Sequence, residues 1–505
     1  MNETLRQKVI SSIDFLGKSF YINQDNAQLK YKMESKDSVL KTTDVSLFSV
    51  LTYLSNGKQL ITGTYGAGKT TVSEAISSIY NSLPIEIVSE GLLRCNPQLT
   101  EEKIIGRPDL GKLQQGIEKV VWTYFTIMPT NLIDEFNRMG ADKQILLLDS
   151  IDRGNFKYLN EMIRKIGATY ATKNELDGGN TELLPAIEDR FNIEVEVVPA
   201  VGYTNLINGE KKILSSKEIA DKIRQKIKEN NSLEGILSLE KEFQKKTNNL
   251  AFSVEEKDEI FKEIENIGVD KNSMMFLEYV FAEANFDPEN GYKGQPINTK
   301  KNHNIKYLME NLKDKSSLSM RWKNSIINYA KSLAWLKGEE SVTCETIKTI
   351  LPYTLVNKLE YYVNPERKLL ETNKTSNAKK VSKEIYQRFV EDSKVYESFE
   401  KMMANDNYIR KKIESIDKAL TKKSANEKID IIKKAFENVS DELIKNIKDN
   451  LTKNDVDEKA KKIENILKNK LDENLKMIDE WAESEHPYFE FFKAVLKKEA
   501  NGDYD

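Results

Sequence analysis

The residues of this chain that are best placed to do chemistry form a short loop between an apolar run and a helix-compatible segment. The apolar run ends at Thr62, and the segment from residue 71 onward has helical character. The eight residues between them have the spacing G-x-x-x-x-G-K-T. With the threonine that follows, the loop comprises Gly63, Thr64, Tyr65, Gly66, Ala67, Gly68, Lys69, Thr70 and Thr71. A strand, a glycine-rich loop and a helix in this order predict a phosphate-binding loop.

Each part of this spacing has a physical role in binding phosphates. Gly66 and Gly68 can adopt backbone angles that point successive N–H groups at phosphate oxygens, and the N-terminus of the following helix adds its positive end. Lys69 would reach the β- and γ-phosphates of ATP, and the Thr70 hydroxyl would ligate Mg²⁺. The alternative is an ordinary glycine-rich turn with a chance lysine. The loop does not contact the base, so GTP stays open as the nucleotide.

A second candidate feature is the acidic pair Asp134 and Glu135, which follows the apolar run at 130–133. Ligands of α/β sheets bind at the carboxyl ends of the strands, where the phosphate loop also lies. Asp134 would hold Mg²⁺ through water, and Glu135 would polarise the attacking water. An acidic pair after an apolar run is also common at the start of a helix, and that alternative stays open here.

The composition limits which other chemistries are available. The 505 residues include only two histidines and two cysteines, and Cys95 and Cys344 lie outside any C-x-x-C spacing. This argues against a disulfide framework, a zinc site and most imidazole mechanisms. The net charge of −3 favours neither nucleic acid nor an anionic membrane as a partner. The N-terminus lacks the apolar segment of a signal peptide and no run could span a bilayer, so we expect a cytoplasmic protein.

Apolar strands and helices must hold the candidate residues at one edge of a sheet. Strands are predicted before the loop and at 84–88, 130–133, 166–172 and 193–198, with helices after the loop and at 143–151. This succession predicts the α/β class, with a mostly parallel sheet covered on both faces. Asn174 follows the strand at 166–172, so it is either a polar group at the same edge or only a strand-end turn residue.

From residue 63 to 198, with a further match at 319–321, the chain resembles the MoxR branch of the AAA+ ATPases. The resemblance rests on Asp-Glu-Phe-Asn-Arg at 134–138, Ala-Thr-Lys-Asn at 171–174, Glu-Asp-Arg-Phe at 188–191 and Ser-Met-Arg at 319–321. In that family the corresponding blocks are Walker B, sensor 1, the arginine block that ends the core, and sensor 2 of a helical lid. The chain departs from the family pattern at Tyr65, Lys173 and Met320, where proline, glutamine and proline are usual.

The resemblance implies roles for two arginines. Arg190 would project across a subunit boundary toward a neighbour's nucleotide, and Arg321 would reach down from the chain's own lid. As alternatives, Arg190 could pair with Glu188 or Asp189 on the surface, and Arg321 could cap a helix. Countering the charge on the γ-phosphate independently calls for a second cation beyond Lys69 and Mg²⁺. An arginine supplied in trans implies a homo-oligomeric ring, for which the family expectation is a hexamer.

The resemblance and the composition together predict how the chain divides into five segments. They are an N-terminal helical segment (1–44), the AAA+ core (45–200), a helical insertion (201–270), an all-α lid (271–368) and an all-α C-terminal bundle (369–505). Residues 370–485 contain no glycine or proline and carry interspersed charges of both signs. That pattern favours a solvated helical bundle over a nucleic-acid-binding tail.

The leading functional hypothesis is ATP hydrolysis by a ring that remodels or matures a partner protein complex. The resemblance adds a protein with a von Willebrand factor A domain as a possible partner. The alternative is a nucleic-acid-stimulated NTPase motor or the NTPase subunit of a restriction system. A third hypothesis is a nucleotide switch or scaffold that does not hydrolyse. The client is not encoded in any motif of the sequence.

Overall fold

The structure, a computed structural model of the chain, describes residues 2–20, 26–34, 36–174, 183–197, 213–233, 237–287, 291–292, 318–359, 374–437 and 441–484. Parts of the predicted insertion, lid and C-terminal bundle lie outside these residues. The boundaries of the five segments predicted from the sequence stay predictions.

The first half of the chain alternates short strands and helices. In chain order they are α1 (Glu3–Phe20), β1 (Ala27–Met33), β2 (Lys36–Thr42), α2 (Asp44–Leu54), β3 (Lys58–Gly63), α3 (Lys69–Asn81), α4 (Ile85–Glu90), β4 (Leu92–Arg94), α5 (Glu101–Ile104), β5 (Gly106–Pro108), α6 (Leu110–Leu113), β6 (Val120–Trp122), α7 (Tyr124–Ile127) and β7 (Asn131–Asp134). A 3₁₀ turn (Phe136–Arg138) follows, and then come α8 (Ala141–Arg153), β8 (Asn155–Tyr158), β9 (Glu161–Arg164), β10 (Thr169–Thr172), α9 (Pro185–Glu188) and β11 (Ile193–Val197).

The second half is mainly helical. Its elements are α10 (Lys217–Asn230), α11 (Leu237–Lys246), α12 (Val254–Glu265), β12 (Gly268–Val269), α13 (Lys271–Asn285), β13 (Phe286–Asp287), β14 (Gly291–Tyr292), α14 (Met320–Lys337), β15 (Ser341–Val342), α15 (Cys344–Leu355), α16 (Lys374–Leu420), α17 (Ala425–Ala435), α18 (Glu442–Asp449) and α19 (Val456–Ser484).

Five parallel strands form the central sheet, in the order β11-β3-β10-β7-β4. The register pairs Ala171 of β10 with Leu60 of β3 on one side and with Ile133 of β7 on the other. All three residues are buried, as expected for parallel strands covered on both faces. Because the strands are parallel, their carboxyl ends meet at one edge of the sheet. The predicted α/β class, with a parallel sheet and helical extensions, is confirmed.

A hydrophobic cluster lies between the sheet and α8. The strand residues Leu60, Ile133 and Ala171 belong to the same cluster as Leu147 and Ile151 of that helix. On α8 these two positions are four residues apart, so they project from one face of the helix. Ile145 of α8 lies outside the cluster and is 60% exposed. The cluster therefore fixes how the helix that follows the acidic pair sits on the sheet.

The strand predicted at 84–88 is wrong. Pro84 stands at the N-cap of α4, and residues 85–90 form a helix that buries Ile87 and Val88. The sheet strand comes later, at β4, whose Leu92 pairs with Leu132 of β7. Isoleucine and valine favour strands locally, but a short helix that buries two of them satisfies the same hydrophobic requirement.

The N-terminal segment contains a β-hairpin in addition to the predicted helix. In this hairpin β1 pairs antiparallel with β2, with Leu29 opposite Leu40. The face that includes Lys30, Lys32 and Lys41 is exposed. The alternation of polar and apolar residues carries the strand signal, but frequent lysines give the stretch the appearance of a polar connection.

The chain divides into two compact units. One comprises Met1–Leu277 and Asn311–Lys383, and the other comprises Glu278–Glu310 and Glu384–Asp505. In the first unit, helices α14 and α15 pack together, and the buried indole N–H of Trp322 donates to the Thr354 hydroxyl at 3.0 Å. The second unit has its own apolar core, formed by residues from α16 to α19, including Ile416, Ile432, Ile444 and Ile463. Among the described helices, none has both the length and the apolar character that a membrane crossing requires.

The hydrophobic cluster makes a testable prediction for stability. Leu147→Ala should lower the free energy of unfolding by about 2–5 kcal/mol, because it removes a fully buried side chain and leaves a cavity. Ile145→Ala on the same helix is the matched control and should change it by less than about 0.5 kcal/mol. Denaturant unfolding of both variants measures the difference. Equal effects of the two substitutions would contradict the described packing of α8.

Candidate active site

The loop between β3 and α3 has a backbone that favours glycine at three positions. Gly66 and Gly68 have φ angles of +75° and +85°, in the left-handed region that side chains rarely adopt. At Gly63 a Cβ atom would lie 2.3 Å from the carbonyl oxygen of Val197. Gly68 is also the N-cap of α3, so the loop runs directly into the helix N-terminus. This is the cradle that a phosphate group needs, because backbone N–H groups and a helix N-terminus converge there.

Lys69 lies within this loop. Its ammonium group donates to the carbonyl oxygens of Gly63 and Thr64, at 2.6 and 2.8 Å. The residue is 7% exposed, and its Nζ lies 5.9 Å from the centre of the Tyr65 ring. Tyr65 itself is 55% exposed at the tip of the loop. The structure thus keeps a single cation at the base of the cradle, where it can face phosphate oxygens.

Thr70 and Asp134 come together although 64 residues separate them in the sequence. The Thr70 hydroxyl donates to Asp134 Oδ1 at 2.7 Å, and the Thr172 hydroxyl donates to the same oxygen at 2.7 Å. A hydroxyl and a carboxylate beside a phosphate cradle fit Mg²⁺, which prefers oxygen ligands and takes the rest from water and phosphates. No group of three or more potential ligands from histidine, cysteine and acidic side chains occurs among the described residues. The donor set therefore fits a metal that arrives with a nucleotide.

Glu135 is held on both oxygens of its carboxylate. Asn174 Nδ2 donates to Glu135 Oε1 at 2.9 Å, and Arg138 Nη1 lies 3.1 Å from Glu135 Oε2. The backbone of Glu135 has φ +54°, which is uncommon for a residue with a side chain. Its N–H donates to the Thr172 hydroxyl at 2.8 Å. A strained backbone that is fixed by specific contacts is typical of functional positions.

A second asparagine supports Asn174. The amide of Asn137 donates to the carbonyl oxygen of Asn174 at 3.0 Å, and the N–H of Asn174 donates to Asn137 Oδ1 at 3.3 Å. Both residues are buried. This exchange ties the end of β10 to the 3₁₀ turn after β7 and so sets the distance between Asn174 and Glu135. Sequence reasoning did not single out Asn137, Arg138 or Thr172, although all three lie within or beside the motifs it identified.

Arg190 and Arg321 lie together around one acidic side chain. Arg190 Nε is 3.7 Å from Asp152 Oδ2, and Arg321 Nη2 is 3.3 Å from the same oxygen. Arg321 also reaches Asp189 Oδ2, at 3.4 Å. The surface pairing of Arg190 with Glu188 or Asp189, left open by the sequence, is not found among the described contacts. Its partner is Asp152, which lies in the last turn of α8, beyond the predicted end of that helix at 151.

The two arginines line a polar cavity of about 230 Å³ at the amino end of β3. Three cationic side chains (Lys58, Arg190, Arg321) and two acidic ones (Asp152, Asp189) line it, which gives a net charge of +1. Burial lowers the pKa of Lys58, Asp152 opposes this change, and the two arginines add to it. Within the described part of the chain, the buried Nε of Arg190 makes no hydrogen bond, although Asp152 lies 3.7 Å from it. The cavity therefore carries a net positive charge, and the N–H at Arg190 Nε is a hydrogen-bond donor that the described residues do not use.

This cavity and the phosphate cradle lie at opposite edges of the sheet. Lys58 begins β3 and Gly63 ends it, so a strand rise of about 3.3 Å per residue separates them by about 17 Å. The structure therefore brings Thr70, Asp134, Glu135 and Asn174 together, and places Arg190 and Arg321 elsewhere. In particular, it does not bring Arg321 to the phosphate loop of its own chain, where the resemblance to the family had placed it.

Comparisons with known proteins add a likeness in structure alone. A scan against protein-family models finds no match, and a search of curated proteins finds none. Among solved structures, the chain is similar to a crystal structure of a "putative ATPase" from Cytophaga hutchinsonii, at 17% sequence identity and a TM-score of 0.46. The alignment covers 77% of this chain and 94% of that one.

Proposed function

We propose that the chain hydrolyses ATP at the carboxyl edge of its central sheet. The observation that carries the proposal is the meeting of Thr70 with Asp134 at 2.7 Å, one residue before a glutamate that Asn174 holds at 2.9 Å. A phosphate cradle alone supports nucleotide binding. A hydroxyl, a carboxylate and a positioned glutamate beside it add the groups that transfer of a phosphoryl group to water requires.

The residues divide the work as follows. The loop N–H groups and Lys69 bind the phosphates, and Thr70 and Asp134 hold Mg²⁺, which would neutralise charge on the β- and γ-phosphates. Glu135 orients the attacking water and accepts its proton, since its carboxylate follows Asp134 directly at the end of β7 and is held in place by Asn174. Asn174 fixes Glu135 through one oxygen. Arg138 pairs with the other oxygen. When Glu135 acts, this ion pair must break so that the oxygen can accept a proton from the water.

The second cation for the γ-phosphate comes, in this proposal, from a neighbouring chain. Two observations support this part. Arg190 and Arg321 line the cavity with Lys58, the first residue of β3, whereas the chain's own cradle begins at Gly63, about 17 Å further along that strand. They also share a cavity whose charged side chains sum to +1, in which Arg190 Nε pairs with Asp152 at 3.7 Å but makes no hydrogen bond to any described residue. In a head-to-tail ring, such a cavity on one chain faces the nucleotide of the next. Both arginines would then act in trans.

The larger assembly follows from this arrangement as an expectation. A heterologous interface closes into a ring, and we propose a hexamer that remodels or matures a partner protein complex. The partner class suggested by the resemblance to the MoxR branch is a protein with a von Willebrand factor A domain. Purification of the chain from its host with the proteins bound to it tests this part directly.

Glu135→Gln should abolish ATP turnover while ATP binding is retained. The amide keeps the size of the side chain and the contact with Asn174, but it cannot accept a proton, so turnover should fall by about 10²–10⁴. Phosphate release and equilibrium binding of ATP measure the two properties. Asp149→Asn on α8 is the control, because Asp149 is 46% exposed and pairs with Arg153. A Glu135→Gln variant with wild-type turnover would overturn the assignment.

Arg190→Ala should lower turnover by on the order of 10³ or more, as expected for an arginine that stabilises the transition state. Binding of ATP to the isolated chain should not change, because the cradle lies at the other edge of the sheet. Arg153→Ala is the matched control, since that arginine is 73% exposed nearby. Turnover near the wild-type level in Arg190→Ala would exclude the proposed role.

DNA separates the proposed remodelling activity from a nucleic-acid motor. We expect duplex or single-stranded DNA to change turnover by less than about twofold at physiological salt, because the chain has no global basic field. Strong stimulation that falls steeply with added salt would instead support the motor. Turnover measured with and without DNA at two salt concentrations distinguishes the two results.

A further inference from the structure

Two residues that follow helix α15 hold the backbone on both sides of Arg190. The Asn357 amide donates to the carbonyl oxygen of Glu188 at 3.0 Å and to that of Phe191 at 3.2 Å. Lys358 Nζ donates to the Glu188 carbonyl at 3.2 Å, to the Asp189 carbonyl, and to Asp189 Oδ1 at 3.3 Å. Together these bonds engage the carbonyls of 188, 189 and 191, which leaves Arg190 in the middle of the clamped segment.

We call Asn357 and Lys358, with their bonds to the backbone of 188–191, the clamp. Its lysine is charged and buried. The side chain of Lys358 is 4% exposed. Burial lowers the pKa of Lys358 to about 8, an effect that Asp189 and Glu188 oppose and Arg321 assists. Carbonyl groups in such a place need donors, because an unpaired backbone group in the interior is costly. Asn357 and Lys358 supply these donors from the turn that follows α15, so the position of that helix and the position of residues 188–191 are coupled.

The Arg190 side chain, which is 14% exposed, has two polar contacts among the described residues, and one of them lies within its own segment. Its Nη1 donates to Ala186 O in its own short helix, and Asp152 lies 3.7 Å from its Nε. The placement of the guanidinium therefore depends mainly on where the backbone of 188–191 sits. A displacement of that backbone by about 1 Å is enough to reduce catalysis by about 10²-fold when a group must meet a transition state.

We infer that Asn357 and Lys358 are positioning residues for the intersubunit reaction, through which helix α15 sets the placement of Arg190 toward the neighbouring chain's nucleotide. This inference rests on the proposed function in trans. It identifies a contact through which movement of α15 in one subunit would change hydrolysis in the next. Lys358 does not touch the chain's own phosphate cradle, which lies at the opposite edge of the sheet.

Mixed assemblies test the inference. Lys358→Met should lower turnover at least about tenfold with unchanged ATP binding, because the cradle is intact and Arg190 is misplaced. When it is mixed with Glu135→Gln chains, which keep a correctly placed Arg190, activity should return. In an equal mixture about half of the sites are competent and about half of those face a Glu135→Gln neighbour, so up to about a quarter of the wild-type rate is expected.

Two controls and a second test variant accompany this experiment. Wild type mixed with Glu135→Gln sets the rate that such assemblies can reach. Lys348→Met on α15 changes an exposed lysine that pairs with Glu345, and should leave turnover unchanged. Asn357→Ala should behave as Lys358→Met does and removes a different pair of bonds, so it serves if Lys358→Met does not fold.

A parallel mixture of Arg190→Ala with Glu135→Gln chains distinguishes two claims. One is that Arg190 acts in trans, and the other is that Asn357 and Lys358 position it. Rescue of Arg190→Ala and of the clamp variants supports the inference. Rescue of Arg190→Ala without rescue of a folded clamp variant overturns the inference and leaves the proposed function standing. If neither is rescued while the wild-type mixture is active, the reaction in trans itself is wrong.

Discussion

The parallel pairing of β3, β10 and β7 is the constraint on which the candidate site depends. It places Gly63, Thr172 and Asp134 at one edge, so that residues from distant parts of the chain share a crevice. One oxygen of Asp134 then accepts hydrogen bonds from both Thr70 and Thr172. A slip of one residue in either pairing would turn these side chains to the other face of the sheet. The buried register is thus what makes the chemistry possible.

Strand β3 also separates the phosphate cradle from the cavity of Arg190 and Arg321. β3 ends at the phosphate cradle and begins at the cavity that Arg190 and Arg321 share. In the proposed function the chain carries both halves of a reaction site at opposite edges of the sheet, and a second chain brings them together. The contacts of Asn357 and Lys358 connect α15 to the segment that contains Arg190, the residue that serves a neighbouring chain in the proposed function.

The sequence could predict the cradle edge, since local spacing and the order of strands determine it. Each candidate residue stands at the end of a strand or loop, namely Thr70, Asp134, Glu135 and Asn174. Parallel pairing of the strands brings these ends to one edge of the sheet. It could not predict the strand at β4, because the isoleucines and valine of α4 carry the stronger local strand signal. It also could not place Arg321 or identify Asp152 and Lys358. Their meeting depends on how α8, α14 and α15 pack at the far edge, which no short motif encodes.

The dependence of ATP turnover on protein concentration tests the central claim most directly. If the site needs an arginine from a second chain, turnover per chain should rise with concentration in step with the assembly state measured by light scattering. At dilutions where the chain is monomeric, turnover should fall by on the order of 10³ or more relative to the assembled protein. Constant turnover per chain across that transition would show that one chain completes its own site and would contradict the account.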